Sequence, residues 1–126
     1  MTGISHISIY VCDFARSRTI YVPLMKALGY KIAFERETVC FSGPEGTSDF
    51  TIGICSVPNK INGHTHVALD ADSQELVGKF YEAAITAGAV DHGAPGPRPN
   101  YSPTYYAAFI KDPDGNVTEA VTNSSS

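Results

Sequence analysis

The sequence predicts an α+β fold in which two βαβββ modules, arranged in tandem, form a curved mixed sheet around a cavity. The first observation behind this prediction is a repeat: alternating segments begin at His6 and His66, which lie 60 residues apart in a chain of 126. The second is that a helix-capping residue, Asp13 or Ser73, follows each histidine at the same offset of 7. Repeated spacing of this kind indicates two copies of one structural unit.

Each half contains one predicted helix with recognisable ends. The side chains of Asp13 and Ser73 suit the N-cap position, where they accept hydrogen bonds from free backbone amides of the first turn. Gly29 and Gly88 suit the left-handed conformation that closes a helix. Pro23 lacks a backbone amide hydrogen, so we expect a kink or an early end there. Apolar residues recur at helical spacing in both segments: Tyr21, Leu24, Met25 and Leu28 in the first, and Val77, Phe80, Tyr81 and Ala84 in the second.

The remaining segments are predicted to be strands, three after each helix. In the first half they span Tyr30–Glu35, Thr38–Ser42 and Phe50–Cys55; in the second they are a short strand near Val90, Thr104–Lys111 and Asn116–Thr122. Asp112-Pro113-Asp114-Gly115 predicts the turn between the last two strands. The segment His92–Pro103 holds four of the eight prolines, which predicts a long, stiff loop that serves as a lid or a pocket wall.

The length and the composition of the chain predict one globular domain. A length of 126 residues matches one domain, which we place at residues 1–122, with modules at about 3–57 and 63–122 and a disordered tail at 123–126. Hydrophobic residues make up 43% and charged residues 17%, below the usual level of about 25%, which excludes intrinsic disorder. The net charge is −4, so no basic face for nucleic acid is expected.

The cysteines and the apolar segments indicate a reduced, soluble setting. Cys12, Cys40 and Cys55 are odd in number and lack a CxxC spacing, so neither a disulfide framework nor a cysteine zinc cluster is expected. No apolar run reaches about 18 residues, the length of a membrane span. The start of the chain lacks the basic and apolar blocks of a signal peptide. We therefore expect a cytoplasmic protein without membrane contacts.

Alternation along the strands predicts a cavity lined by polar groups. In the first strand, His6, Ser8 and Tyr10 share one face, opposite the apolar residues that can pack on a helix. A curved sheet with such a mixed inner face forms a cavity of the kind that binds ligands. Glu119 is the only acid in the last strand, and a carboxylate buried alone there is costly. It therefore needs a cation, a metal ion or solvent.

These motifs resemble the vicinal-oxygen-chelate superfamily, which includes glyoxalase I, extradiol dioxygenases, fosfomycin-resistance thiol transferases and metal-free bleomycin-binding proteins. The resemblance covers about residues 3–122. It depends on His6 in the first strand, on Tyr21…Leu24…Leu28-Gly29-Tyr30, on His66-Val-Ala-Leu, and on Asp112-Pro-Asp-Gly-Asn116 followed by Thr118-Glu119. It implies a homodimer that binds a small-molecule substrate.

The resemblance also implies one divalent metal ion per chain, Fe, Mn, Zn or Ni, held by His6, His66 and Glu119. The fourth family position, which is a carboxylate or glutamine in glyoxalase I, falls near Thr51, a poor ligand. Two imidazoles and one carboxylate leave open positions on the metal, as in non-haem iron oxygenases. His64 lies on the same strand face as His66, but only His66 keeps the repeat offset to its helix cap.

Side chains near the proline-rich loop are candidates for handling the substrate. Tyr101 and Tyr105 are the candidate acid–base groups, and Glu119 joins them in the catalytic set. Tyr105 and the following tyrosine point to opposite faces of their strand, so one of the two can instead be a packing residue. The expected contacts to an anionic or phenolic substrate are Arg98, Tyr106 and Thr51.

We expect a metal-dependent enzyme that acts on a small vicinal-oxygen or phenolic molecule, and the three-ligand set favours a dioxygenase-type reaction. A glyoxalase-like lyase or isomerase and a thiol transferase are alternatives, although a transferase for a phosphonate would need more cations than Arg98 in the loop. A metal-free protein that sequesters a toxic small molecule is a further alternative, which the presence of all three ligands disfavours.

Overall fold

The helices and strands follow one another in the same order in both halves of the chain. The computed structural model describes residues 5–43, 51–57 and 64–126. The first module contains β1 (His6–Val11), α1 (Phe14–Ala27), β2 (Lys31–Glu35), β3 (Thr38–Ser42) and β4 (Thr51–Ser56). The second contains β5 (His66–Asp70), α2 (Gln74–Thr86), β6 (Val90–Pro97), β7 (Tyr106–Lys111) and β8 (Val117–Thr122). The predicted α+β fold of two βαβββ modules is confirmed.

Each module forms its own four-stranded mixed sheet. The strand orders are β1-β4-β3-β2 and β5-β8-β7-β6. In both sheets the first strand of the module pairs in parallel with the last strand, and the other pairs are antiparallel. Parallel neighbours need a long crossover connection, which the helix and the two intervening strands supply. The repeat in the sequence is therefore also a repeat of topology.

Both helices begin and end where the sequence predicts. The side chains of Asp13 and Ser73 each accept a hydrogen bond from the backbone amide three residues later. Gly29 and Gly88 follow the helices with φ angles of 90° and 108°. Glycine adopts this left-handed conformation without the steric penalty that a side chain would bring.

Helix α1 continues through Pro23, so the early end that the proline predicts does not occur. The proline removes one backbone hydrogen bond, but the residues on both sides of it are anchored in the core. Ile20 and Tyr21 before it, and Leu24 and Met25 after it, are at most 1% exposed. The burial of these four side chains offsets the lost hydrogen bond and holds the last turn in place.

One hydrophobic core extends through both modules. The two helices contact each other, and each also packs on the strands of its own sheet. The inward-facing residues of the first sheet include Ile9, Val11, Val39, Phe41 and Ile54, and those of the second include Leu69, Ala108, Ile110 and Ala120. The other face of each sheet points away from the helices, and we call it the open face.

The turn between β7 and β8 joins the two modules. The carboxylate of Asp112, which is buried, accepts a hydrogen bond of 2.7 Å from the Tyr21 hydroxyl in α1. Burial, followed by the neighbouring Asp112 charge, raises the pKa of the Tyr21 phenol well above its usual range, so the hydroxyl remains a donor. The Asp114 carboxylate accepts from the Cys12 amide at 3.1 Å. The predicted turn is confirmed, and it also contacts the first module.

The segment 92–103, predicted to be a loop, is partly a strand. Strand β6 pairs with β7, with shifts of register on both sides of Gly93. Pro95 and Pro97 have no amide hydrogen to donate to the sheet, and the shifts accommodate them. The prolines and glycines of β6 interrupt the alternation of apolar and polar residues by which a strand is recognised in a sequence. Residues 98–105 leave the sheet and return to it at Tyr106.

Two of the four residues expected to form a disordered tail, Ser124 and Ser126, are hydrogen-bonded to the start of α2. The Gln74 backbone amide donates to the carbonyl of Ser126 at 2.9 Å, and its side-chain nitrogen donates to the carbonyl of Ser124 at 3.3 Å. The first amides of a helix have no acceptor within the helix, so the end of the chain supplies one.

Within the described ranges, no helix combines the length and the apolar character that crossing a membrane requires. Phe50, predicted to begin β4, lies outside the described residues.

Candidate active site

The carboxylate of Glu119 is the centre of the candidate site. Glu119 is 3% exposed. Its Oε1 atom lies 2.8 Å from Nε2 of His66, and its Oε2 atom accepts a hydrogen bond from the Tyr105 hydroxyl. The acid that the sequence marks as in need of a partner is therefore held between an imidazole and a phenol.

Strand register brings these three side chains together. Glu119 on β8 pairs with Ala68 on β5 and with Phe109 on β7. Side chains two residues apart lie on the same face of a strand. His66 precedes Ala68 by two positions, and Tyr105 precedes Phe109 by four. All of them consequently lie on the open face of the second sheet.

Tyr105 is a hydrogen-bond donor at neutral pH. The pKa of its phenol is raised to about 12, first by burial and then by the hydrogen bond to Glu119 and the charge of that carboxylate. A phenol with this pKa stays protonated near pH 7, so it can donate a proton but cannot accept one there. The ring of Tyr101 packs edge-on against it, with ring centroids 5.0 Å apart.

A cavity of about 290 Å³ opens beside His66. The guanidinium of Arg98 lies over the Phe109 ring, 5.4 Å from its centroid, and donates to the carbonyls of Ala94 and Pro97 at 2.8 and 3.2 Å. These contacts hold a cation at the cavity wall, where it can attract an anionic group. The lining residues are His66, His92, Gly93, Arg98, Tyr101 and Phe109.

Gly93 gives this wall its shape. Its φ angle is +153°, a conformation that side chains rarely adopt. A methyl group at this position would lie 2.9 Å from Cδ1 of Phe109 and 3.2 Å from Nη2 of Arg98. The irregular part of β6 therefore lets the backbone approach the Phe109–Arg98 pair closely.

Three lining residues, His92, Gly93 and Phe109, were not predicted as site residues. His92 is interpreted from the sequence as a loop residue, and no local pattern marks it for the cavity. Phe109 could have been found, because it has the same strand parity as Tyr105 and alternation places both on one face.

Two other candidates lie away from Glu119. Tyr106 points to the opposite face of β7, where it packs against the main core. It is thus the packing member of the tyrosine pair rather than a neighbour of the carboxylate. His64 is exposed before β5, and its ring lies against Gly115 in the turn that joins the modules.

The first module carries His6 on its own open face. His6 is exposed and pairs in register with Thr51 at the start of β4. Ser8 pairs with Gly53 in the first sheet in the same way that Ala68 pairs with Glu119 in the second. Gly53, and not Thr51 as the sequence suggested, therefore holds the position equivalent to Glu119. Strand β4 supplies no side-chain ligand at that position.

The donors present in one chain suit part of a divalent metal site. An imidazole nitrogen and a carboxylate oxygen are ligands that Mn, Fe, Zn and Ni accept. A cation near the pair would also offset the cost of burying the Glu119 charge. Within residues 5–43, 51–57 and 64–126, no three His, Cys, Asp or Glu side chains are grouped so as to hold an ion. One chain therefore brings together His66 and Glu119, and His6 does not join them.

The chain matches one protein-family model over most of its length. The model of the Glyoxalase/Bleomycin resistance protein/Dioxygenase superfamily matches residues 3–120. The chain therefore belongs to this superfamily, as its motifs suggested. No curated protein sequence matches the chain at a significant level.

Solved structures share the fold over nearly the whole chain. A glyoxalase/bleomycin resistance protein from Albidiferax ferrireducens T118 has a TM-score of 0.75 at 26% identity, covering 94% of this chain and 96% of its own. A glyoxalase/bleomycin resistance protein/dioxygenase family enzyme from Burkholderia phytofirmans PsJN has a TM-score of 0.69 at 21% identity, with coverages of 93% and 95%. The fosfomycin resistance protein FosX from Mesorhizobium loti has a TM-score of 0.69 at 19% identity, with coverages of 99% and 95%. The last two similarities, below 25% identity, show the fold alone.

Proposed function

We propose that this protein is a divalent-metal-dependent enzyme that acts on a small vicinal-oxygen or phenolic substrate, with a dioxygenase-type reaction as the first candidate. The observation that carries the proposal is the buried Glu119 carboxylate, 2.8 Å from His66 at the edge of a cavity of about 290 Å³. A buried carboxylate is costly unless it is paired. Its position beside an imidazole and a cavity supports a ligand-binding role.

The third metal donor in this proposal is His6 of a second copy of the chain. Besides His6, the open face of the first sheet leaves Tyr10 and Phe34 each 50% exposed. A partner that covered this face would bury both exposed rings, which lie on the two edge strands of the sheet. In a homodimer with two-fold symmetry, the open face of the first sheet of one copy would cover His66 and Glu119 of the other, and two equal sites would form.

The side chains around the cavity have separate roles in this proposal. A bound divalent ion would polarise two adjacent substrate oxygens or activate dioxygen. Arg98 would hold the negative charge of a carboxylate or phenolate against the cavity wall. Tyr105, kept protonated by its raised pKa of about 12, would redirect its one hydroxyl hydrogen from Glu119 to a substrate oxygen. The rings of Phe109 and Tyr101 would exclude water.

A glyoxalase-like lyase or isomerase, or a thiol transferase, is the second candidate, because the same donors support those reactions. The similarity of fold to a fosfomycin resistance protein is consistent with a transferase. Among the described lining residues, however, Arg98 is the one lysine or arginine, which is sparse for a phosphonate substrate. A metal-free binding protein is the third candidate, and metal content separates it from the other two.

Metal analysis combined with oxygen uptake tests the proposal. Protein purified without chelators should contain one Fe, Mn, Zn or Ni ion per chain. Glu119→Gln and His66→Ala should each weaken metal binding by about 100-fold, at the upper end of the effects seen for residues that support a metal. The matched control, His64→Ala, removes an exposed histidine two residues from His66 and should leave metal binding unchanged.

The outcomes separate the three candidates. Oxygen consumption with catechols or related phenols would support the dioxygenase-type reaction. Bound metal without oxygen consumption would favour the lyase, isomerase or transferase. A chain that binds none of the four metals after reconstitution would contradict the enzymatic proposal.

A further inference from the structure

Two cysteine thiols flank Gly53 on the open face of the first sheet. Cys40 pairs directly with Gly53 across β3 and β4, and Cys55 follows two residues later on the same face of β4. A methyl group at Gly53 would lie 3.5 Å from the sulfur of Cys40, 3.5 Å from Cγ2 of Thr38 and 3.8 Å from the sulfur of Cys55. Both sulfurs therefore border the same gap, which the missing side chain leaves open.

A glycine inside a strand needs an explanation. It has no side chain to pack, it weakens the strand, and such positions often mark a bulge or the close approach of a ligand. Strand β4 pairs without a register shift on both sides of Gly53, so a bulge does not account for this glycine. A glycine in an unshifted strand also allows the close approach of a ligand or of another backbone.

The two cysteines are not joined by a disulfide. Burial, and then the neighbouring Cys55, raises the pKa of the Cys40 thiol. This thiol therefore keeps its proton at neutral pH until a ligand with a strong preference for sulfur displaces it.

We propose that Cys40 and Cys55 form a binding site for a soft metal ion of the Cu(I) type, seated in the gap at Gly53. Thiolates select soft ions, and Cu(I) accepts as few as two sulfur ligands, whereas a structural zinc ion needs four ligands. Binding converts two thiols into two metal-bound thiolates, releases two protons to solvent and leaves the oxidation state of the metal unchanged. Zinc–thiolate bonds are about 2.3 Å long; for an ion bonded at a similar length and seated where the methyl group is missing, both sulfurs, now 3.5 and 3.8 Å away, must move closer.

This site does not share a ligand with the one centred on Glu119, although in the proposed homodimer the open face that carries the thiols would lie against the Glu119 site of the other copy. The two sites lie on different modules and use different ligands, so the soft-metal site does not depend on the proposed enzymatic function. The third cysteine, Cys12, is exposed and lies after the end of β1, which makes it a matched control.

Anaerobic titration with Cu(I), in competition with a chromophoric Cu(I) chelator, tests the proposal. The unmodified protein, Cys12→Ser and Glu119→Gln should each bind one Cu(I) per chain with the same affinity. Cys40→Ser and Cys55→Ser should each bind at least about 10-fold more weakly, as expected when a residue of a metal site is lost.

The variant Gly53→Ala tests whether the gap is needed for Cu(I) binding when both thiols are present. It keeps both cysteines, and its methyl group would make only ordinary van der Waals contacts with them, so the variant should fold. Because the methyl group fills the gap, Cu(I) should bind to this variant at least about 10-fold more weakly. Circular dichroism establishes that each variant is folded. Unchanged affinity in Cys40→Ser, Cys55→Ser or Gly53→Ala, or a loss confined to Cys12→Ser, would overturn the proposal.

Discussion

The open faces of the two sheets have the same strand register but carry different chemistry. In the second sheet Glu119 pairs with Phe109, and in the first sheet Gly53 takes the equivalent position and pairs with Cys40. On the helix side, by contrast, both modules present apolar residues to a single core. Close packing tolerates little change, so burial restricts the helix side of each module and leaves the open side free to carry different ligands.

This difference divides the chemistry between the modules. The second module supplies a buried carboxylate, an imidazole and a cavity walled by Arg98 and Phe109. The first module supplies His6 on an exposed strand and two thiols around a glycine. A repeat of topology therefore does not imply a repeat of the site, and the candidate metal ligands are distributed over two open faces.

Gly93→Ala is expected to have the largest effect on the second open face. Its methyl group would lie 2.9 Å from Phe109, and overpacking of this kind costs about 1–3 kcal/mol. The measurement is the free energy of unfolding from urea denaturation. Gly78→Ala is the control: it has nothing within 4 Å in helix α2 and should stabilise the protein by about 0.5–1 kcal/mol. Equal effects of the two substitutions would show that Gly93 does not shape the wall.

A smaller effect is expected on the ionisation of Tyr105. In metal-free protein its pKa should be about 12 with Glu119 present and lower in Glu119→Gln, although still above the usual value because burial is the first cause of the shift. The difference in ultraviolet absorbance between each protein and its Tyr105→Phe derivative measures the titration of this one phenol. An identical pKa in both proteins would show that the Glu119 carboxylate does not contribute to the raised pKa of Tyr105.

The same raised pKa fixes the sign of a pH effect on stability. The native state binds the Tyr105 proton more tightly than the unfolded state does. The stabilisation that comes from the protonated phenol should therefore be complete below about pH 10, the pKa of an unperturbed tyrosine. It should be lost as the pH rises through about 12. In Tyr105→Phe this alkaline loss should be absent.

Local signals predicted most of the fold. The caps Asp13 and Ser73 and the apolar periodicity of both helices are properties of adjacent residues, so they can be found without knowledge of the tertiary structure. The repeat and the strand parity also indicated that His66 and Glu119 share a face, and the structure places them 2.8 Å apart.

The remaining features depend on contacts between distant segments. The equivalence of Gly53 and Glu119 follows from the pairing of β1 with β4 and of β5 with β8, strands that are distant in the sequence. The pairing of β6 is hidden by Pro95 and Pro97. The contact of Asp112 with Tyr21 joins residues 91 positions apart. Neither this contact nor the presence of His92 in the cavity could be predicted from spacing alone.

A mixed dimer tests most directly whether the metal site is shared between two copies. His6→Ala chains and Glu119→Gln chains would be co-expressed with different tags, and the mixed dimer would be purified by both tags and analysed for metal. In a shared site, His6 from the Glu119→Gln chain meets His66 and Glu119 from the His6→Ala chain. The account therefore predicts that neither parent variant binds metal tightly, whereas the mixed dimer binds one ion per dimer. A mixed dimer without metal, or a His6→Ala protein with full metal content, would contradict it.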